Sequence, residues 1–192
     1  MSISHRYRCI FIHIPKTAGG TIKKIIDFED QLVPCHSSIQ MMYDNKRLSN
    51  RMIEEYWKFT FVRNPWDRLV SLFFHIKMDP YPGDPKLSVF DRESIKWISS
   101  SPRGKSQSSH LKLNGVIDVD YIGRFETLIK DWNYICDRLQ MNFLFKIMIK
   151  TIHVNHGTKR PKINYRKFYN RETRRLAYRL YEEDIDRFQY NF

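Results

Sequence analysis

The chain has 192 residues, of which 42% are hydrophobic and 15% aromatic, so it can bury a core and is not an intrinsically disordered protein. Its 33 basic and 21 acidic residues give a net charge of +12, which favours anionic partners such as nucleotides, nucleic acids, acidic glycans or acidic lipid headgroups. A soluble protein with solvated lysines and arginines has the same charge balance.

No segment approaches the roughly 20 apolar residues of a membrane-spanning helix. We therefore expect no transmembrane segment. Because the three cysteines have neither paired nor zinc-binding spacing, we expect a reducing, cytoplasmic location and no metal site.

The first half of the chain predicts two units in which a strand leads into a helix. Residues 8–14 (RCIFIHI) form a short apolar run rich in β-branched residues, which is typical of a buried strand. Isoleucines at helical spacing then predict a helix over residues 21–27. A second buried strand is predicted over residues 58–62 (KFTFV). Asn64 and Pro65 follow it and predict a helix start, because Asn caps helices and Pro suits their first turn.

The middle of the chain predicts loops. Residues 78–85 contain three prolines and a glycine, and residues 99–109 (SSSPRGKSQSS) form a polar segment that we expect to be mobile.

The last third returns to alternating elements. A third strand is predicted over residues 119–123 and a helix over residues 126–139, whereas residues 143–154 fit either a strand or a helix. Apolar residues at three- and four-residue spacing predict one amphipathic helix from Asn170 onward. Strands that alternate with helices predict an α/β fold with a central, mainly parallel sheet flanked by helices, in a single domain spanning residues 1–192.

The loop Pro15–Thr21 (PKTAGGT), between the first predicted strand and helix, has the features of an anion-binding loop. Backbone N–H groups at a helix N-terminus bind anions, and two glycines let the backbone approach a phosphate closely. Lys16 adds a positive charge, and Thr17 and Thr21 add hydroxyl groups. The loop differs from that of nucleoside triphosphatases, in which the lysine follows the glycines. The alternative is an ordinary tight turn with a solvated lysine.

A second anion-binding motif follows the second predicted strand. Arg63 supplies a bidentate fork for phosphate, and Ser71, eight positions later, supplies a hydroxyl group. Ligands collect at the carboxyl ends of parallel strands, so we expect this motif and the Lys16 loop to bind one ligand. The alternative is that Arg63 and Arg68 form surface ion pairs with Asp67 and that Ser71 has no special role.

Two stretches of the chain resemble motifs of sulfotransferases that use 3′-phosphoadenosine 5′-phosphosulfate (PAPS). The first, IFIHIPKTAGGTI, resembles their 5′-phosphosulfate loop, and the second, FTFVRNPWDRLVSLF, resembles their 3′-phosphate motif; the two occur in the same order. The chain is most similar to the branch that contains heparan- and chondroitin-type carbohydrate O-sulfotransferases and their compact bacterial relatives. DVDYIGRFETLIKDW and YRKFYNRETRRLAYRLYEEDIDRFQY fit the same branch, so the resemblance runs from about residue 9 to the C-terminus. It implies a three-layer, P-loop-like fold, PAPS as donor, the desulfated nucleotide PAP as product, and no required metal.

The resemblance also implies roles for individual residues. Lys16 would contact the bridging oxygen and the 5′-phosphate, and Arg63 and Ser71 would hold the 3′-phosphate that distinguishes PAPS from an adenylate. The rest of the loop would donate backbone and hydroxyl hydrogen bonds to the 5′-phosphosulfate; these residues are Thr17, Ala18, Gly19, Gly20 and Thr21.

A general base and an acceptor complete this hypothesis. The resemblance favours His36, because related carbohydrate sulfotransferases often carry a base histidine in this region; His110 is the second candidate, and an acidic residue is a third. His13 alternates with apolar neighbours and is interpreted as a packing residue. The partner is expected to be a hydroxyl-bearing acceptor, either a glycan or a small molecule, rather than a specific nucleic acid. We expect residues 78–110 to build the acceptor site, although they contain no motif that names the acceptor.

Residues 155–179 are rich in basic and aromatic side chains and allow three interpretations. They form a loop that closes over the donor through Lys159 or Arg160, or an acceptor surface for an acidic glycan, or a solvated helix face. Three alternatives to an active sulfotransferase also stay open at this point: an atypical P-loop kinase or nucleoside triphosphatase, a basic nucleic-acid-binding module, and an inactive donor-binding relative.

Overall fold

A computed structural model describes residues 2–26, 28–29, 37–155, 161 and 163–192, and the chain divides into two compact units. The first unit contains residues 1–62 and 107–156, and the second contains residues 63–106 and 157–192. Each unit has its own cluster of buried apolar side chains. The single domain over residues 1–192 stays a prediction.

The first unit is built on a four-stranded sheet. In chain order the strands of the protein are β1 (Ser2–Ser4), β2 (Cys9–Ile12), β3 (Trp57–Val62), β4 (Lys112–Leu113), β5 (Val116–Ile117) and β6 (Tyr121–Arg124). The sheet has the order β1-β2-β3-β6; β1 is antiparallel to β2, and the other two pairs are parallel. Strands β4 and β5 form a separate small hairpin. The two strands predicted ahead of the anion-binding motifs, β2 and β3, are therefore parallel neighbours.

Helices supply the rest of the regular structure. In chain order they are α1 (Gly19–Ile25), α2 (Ile39–Asp44), α3 (Asn50–Glu55), α4 (Pro65–Met78), α5 (Arg92–Ser100), α6 (Gln107–Leu111), α7 (Leu128–Arg138), α8 (Phe143–Asn155), α9 (Arg171–Leu180) and α10 (Glu182–Arg187). The segment over residues 143–154, which fitted either strand or helix, is thus helical. Across the part of the chain that the structure describes, no helix combines the length and apolar content needed to cross a membrane.

The core of the first unit lies against the sheet. Phe11 and Phe59 are opposite each other in the parallel register, and their rings stack with centroids 5.1 Å apart. Ile22 from α1, Trp132 from α7 and Ile149 from α8 are buried in the same cluster. Burial of large aromatic and β-branched side chains provides most of the stabilisation of such a layer. The predicted α/β architecture with a central, mainly parallel sheet flanked by helices is confirmed.

The second unit is helical and begins at the predicted cap. The Asn64 side-chain oxygen accepts hydrogen bonds from the N–H groups of Trp66 and Asp67, at 3.1 and 3.4 Å, and Pro65 is the first residue of α4. The apolar face of α4 packs with buried residues of α5 and α9. The predicted start of this helix is therefore confirmed. The sequence was sufficient to predict it because the cap depends only on neighbouring residues.

Two expectations for the second unit were wrong. Part of the segment predicted to be polar and mobile is a buried turn: Arg103 is buried, Arg68 donates to the carbonyls of Arg103 and Lys105, and the Tyr181 hydroxyl donates to the Gly104 carbonyl at 2.7 Å. The single C-terminal helix is divided into α9 and α10 at Tyr181, where φ is −125° and ψ is 23°. In the turn, long-range hydrogen bonds from the buried Arg68 and Tyr181 side chains override the local pattern.

Candidate functional site

The loop between β2 and α1 has a constrained backbone. Lys16 and Ala18 have φ values of 67° and 74°, in the left-handed region that residues with a Cβ rarely adopt. Thr17 is buried between them, and its hydroxyl donates to the Ile14 carbonyl at 2.9 Å. Two such backbone conformations cost on the order of 1–3 kcal/mol each, and they cluster at ligand-binding loops. The loop therefore stores strain at the position predicted to bind an anion.

The start of α1 leaves backbone donors without an intrahelical acceptor. The N–H groups of Thr21 and Ile22 both donate to the Ala18 carbonyl, at 2.9 and 3.2 Å, and Ala18 provides no side-chain cap. The N–H groups of Gly19 and Gly20 come before the first of these bonds and have no acceptor within the helix. Together with the Lys16 side chain, these donors can satisfy a phosphate or sulfate group.

Gly19 is required by the packing of the loop, which the sequence did not reveal. A Cβ at Gly19 would lie 1.7 Å from Cδ2 of His13. The His13 ring is only 7% exposed and stacks on Phe11, with ring centroids 5.9 Å apart. The geometry supports the interpretation of His13 as a packing residue, and it shows that this ring lies directly against the Lys16 loop. By contrast, a Cβ at Gly20 would meet nothing within 4 Å.

We expect Gly19→Ala to lower the free energy of unfolding by about 1–3 kcal/mol, because the new methyl group overlaps the His13 ring. Gly20→Ala is the matched control, and it should leave stability unchanged or raise it by up to about 1 kcal/mol, because alanine favours the helix. Urea denaturation followed by circular dichroism measures both. Equal destabilisation by the two substitutions would show that the His13 contact does not determine the glycine at position 19.

Arg63 forms a buried ion pair. Its side chain donates from Nε and Nη2 to one carboxylate oxygen of Asp67, at 2.8 and 2.7 Å, and the residue is only 6% exposed. The predicted alternative named Asp67 correctly as the partner but placed the pair on the surface. Arg68 is buried too, and it donates to backbone carbonyls. Asp67 therefore orients the Arg63 guanidinium at the start of α4.

Ser71, the second residue of this motif, has a buried hydroxyl group. It is 2% exposed, and its hydroxyl oxygen has no hydrogen-bond partner among the described residues. A serine within a helix commonly bonds to a carbonyl of the preceding turn, and leaving a buried hydroxyl unsatisfied costs about 1–3 kcal/mol. Such an atom is expected where a bound group supplies the missing partner.

The candidates for the general base differ in position. His36, the favoured candidate, lies outside the described residues, as do Lys159 and Arg160. His110 lies in α6 and is 3% exposed, with Gln107 and Ser108 buried beside it. The assignments of these residues stay predictions.

The described cysteines are not reactive nucleophiles. Burial raises the pKa of the Cys9 thiol to about 12, with a further contribution from Glu29, and burial likewise raises that of Cys136 to about 12. Both thiols are therefore protonated near neutral pH, which excludes a thiolate mechanism at these two positions. Within the described ranges, no group of three or more His, Cys, Asp or Glu side chains could hold a metal ion.

Comparison with protein families gives a match over nearly the whole chain. A family model described as the sulfotransferase family matches residues 1–112 and residues 85–191. The matched ranges include both the Lys16 loop and the motif that contains Arg63 and Ser71. Comparisons with curated proteins and with solved structures gave no match.

Proposed function

Since the chain belongs to the sulfotransferase family and is of its carbohydrate-sulfotransferase type, we propose that it transfers the sulfuryl group of PAPS to a hydroxyl group of a carbohydrate. The family accounts for sulfuryl transfer in general. The donor, the acceptor class and the residue roles are the proposal. The observation that carries it is the buried Ser71 hydroxyl, which lacks a partner among the described residues and follows a buried arginine by eight positions.

We assign the 3′-phosphate to Arg63 and Ser71. A guanidinium and a hydroxyl group both donate hydrogen bonds, and a doubly charged phosphate accepts from both. The carboxylate of Asp67 holds the guanidinium in one orientation before the donor binds, which lowers the entropic cost of binding. A plain adenylate lacks the 3′-phosphate, so these two residues would select PAPS.

We assign the 5′-phosphosulfate to the Lys16 loop. The backbone N–H groups of Ala18, Gly19 and Gly20 and the hydroxyl of Thr21 are candidate donors, and Lys16 adds the positive charge. Thr17 uses its hydroxyl hydrogen inside the loop, so its side chain would contribute by fixing the loop conformation. The strained backbone positions the donors in advance, which is the property that makes electrostatic stabilisation effective.

In the proposed reaction, the acceptor hydroxyl oxygen forms a bond to sulfur while the bond between sulfur and the 5′-phosphate oxygen breaks. A general base takes the hydroxyl proton, and Lys16 offsets the negative charge that develops on the departing phosphate. We propose His36 as the base, with His110 as the second candidate and an acidic residue as the third. By analogy with phosphoryl transfer, positioning and electrostatics supply most of the rate enhancement, and the scheme requires no metal.

The three-layer, P-loop-like arrangement and the cytoplasmic location belong to the same proposal. The parallel pair β2 and β3 supports the first, because it places the strand ends that precede both motifs at one edge of the sheet. The buried, free thiols of Cys9 and Cys136 support the second, because the thiols of proteins in reducing compartments stay unpaired.

The test is calorimetric titration with PAP, 5′-AMP and ATP in the absence of magnesium. We expect a PAP dissociation constant on the order of micromolar and much weaker binding of AMP, because AMP lacks the 3′-phosphate. Arg63→Ala should abolish this difference, and Ser71→Ala should reduce it without loss of stability, since the substitution removes a buried hydroxyl that lacks a partner in the described chain.

Equal affinity of the wild-type protein for PAP and AMP would overturn the donor assignment. Tighter binding of ATP, with turnover that depends on magnesium, would favour a nucleotide kinase or triphosphatase instead. PAP binding without any sulfuryl transfer would identify an inactive donor-binding relative.

A further inference from the structure

The second unit contains an open groove of about 840 Å³ along α9. Its lining combines positive charge with aromatic surface: it includes Arg171, Arg174, Arg175, Arg179, Trp66 and Tyr178. We call it the arginine groove. None of the donor-binding residues assigned above lines it.

Arg171, Arg175 and Arg179 follow one another at four-residue spacing and so lie on one face of α9, whereas Arg174 lines the groove from beside them. All four are exposed, and none forms an ion pair with an acidic side chain among the described residues. Glu172 pairs with Arg92 at 3.0 Å, and Asp186 and Glu182 are near enough to Tyr178 to raise the pKa of its hydroxyl. The groove therefore keeps a net positive charge.

Aromatic rings make a packed wall beside these charges. Trp66 stacks on Tyr178, with ring centroids 6.5 Å apart, and meets Phe192 edge-on at 5.5 Å. The guanidinium of Arg174 lies 4.2 Å from the Phe192 ring centroid, and the Trp66 indole N–H donates to the Arg174 carbonyl at 3.4 Å. Tyr178 is 39% exposed, so part of its ring is accessible to a ligand. The wall is held by contacts that exist without a ligand.

The arginine groove is also fixed to the start of α4. The Asn64 side chain donates to the Asn191 carbonyl at 2.8 Å, next to Phe192. The Tyr169 hydroxyl donates to the Trp66 carbonyl at 2.9 Å. The cap of α4, one residue after Arg63, is thus hydrogen-bonded to the chain segment that lines the groove.

We propose that the arginine groove binds a segment of an acidic saccharide chain. Guanidinium groups would pair with its carboxylate or sulfate groups, and the exposed Tyr178 face would stack on a sugar ring. Single-stranded nucleic acid is less well matched, because proteins that bind it present successive stacking platforms, whereas this groove exposes one ring well. The inference rests on the proposed function, because it assigns the groove to the acceptor.

The probe is a chondroitin sulfate hexasaccharide, titrated into the full chain by calorimetry at two salt concentrations. We expect the double substitution Arg175→Ala/Arg179→Ala to weaken binding about tenfold or more, because it removes two charge-assisted contacts. Arg51→Ala/Arg187→Ala is the matched control: it removes the same charge from exposed sites outside the groove, and should change affinity by less than about twofold. Tyr178→Ala should lower the affinity for the hexasaccharide at both salt concentrations. Tyr178→Phe keeps the ring and should retain the wild-type affinity.

Parallel titration with PAP separates this inference from the proposed function. PAP binding without hexasaccharide binding, or an equal loss of hexasaccharide affinity in the matched control, would overturn the groove assignment alone. Hexasaccharide binding without PAP binding would overturn the acceptor role together with the proposed function. Competition between PAP and the hexasaccharide for the groove would make it part of the donor site, and tighter binding of an oligonucleotide of equal charge would make it a nucleic-acid surface; either result overturns the inference.

Discussion

Lys16→Met is expected to lower kcat for sulfuryl transfer by about 10²–10³. Lysine and methionine have similar length and the same unbranched stem, so the variant keeps the φ of 67° at position 16 and removes only the charge. The charge would act mainly on the departing phosphate, whose negative charge grows in the transition state. Removal should therefore reduce kcat more than it reduces donor affinity.

The measurement is release of PAP from PAPS, with chondroitin as the acceptor, together with calorimetric binding of PAP. Lys24→Met is the matched control, because Lys24 is an exposed residue of α1 beyond the loop, and it should keep kcat within about twofold of wild type. An unchanged kcat in Lys16→Met would remove Lys16 from the mechanism. A loss confined to PAP affinity would make it a binding residue only.

Arg68→Ala is expected to lower the free energy of unfolding by about 3–5 kcal/mol, the largest stability effect that we expect for this chain. Arg68 is 1% exposed, and it donates to the carbonyls of Arg103 and Lys105 at 2.9 and 3.0 Å. Burial lowers the pKa of its guanidinium, whereas Tyr181 and Asp184 act to raise it. Alanine would leave two backbone carbonyls without their donors and the fully buried Asp184 without a neighbouring cation.

Urea denaturation of the variants measures this contribution. Tyr181→Phe should cost only about 1 kcal/mol, because it removes one hydrogen bond, to the Gly104 carbonyl, and keeps the ring. Arg187→Ala, at an exposed site in α10, should change stability by less than about 0.5 kcal/mol. A loss below about 1 kcal/mol in Arg68→Ala would show that solvent or other side chains replace its hydrogen bonds.

The sequence was sufficient for features that depend on neighbouring residues. The strands at residues 9–12 and 57–62 follow from runs of apolar, β-branched and aromatic residues, and the start of α4 follows from Asn64 and Pro65. The two motifs predicted to bind anions were recognisable because the signal consists of their residue types and order. The match to the sulfotransferase family confirms the family to which they were assigned.

Other features depend on contacts between residues far apart in the chain, and only the tertiary structure shows them. The turn at residues 101–105 is polar in sequence, yet Ser101, Arg103 and Gly104 are buried in it, because Arg68 and Tyr181 bond to its carbonyls. The pattern of residues 143–154 did not distinguish a helix from a strand, since a buried apolar run suits both. The sheet neighbours of each strand likewise follow from packing and not from local preference.

The same division applies to the candidate site. The sequence determined which residues carry charge and hydroxyl groups: Lys16, Arg63, Ser71 and the arginines of α9. Only the folded chain shows that the Ser71 hydroxyl is buried without a partner among the described residues. It likewise shows that the His13 ring lies against Gly19 and that aromatic rings line the groove beside the α9 arginines. The physical reason is that residue type sets the chemistry a side chain can perform, whereas burial and distance arise only when distant segments pack together.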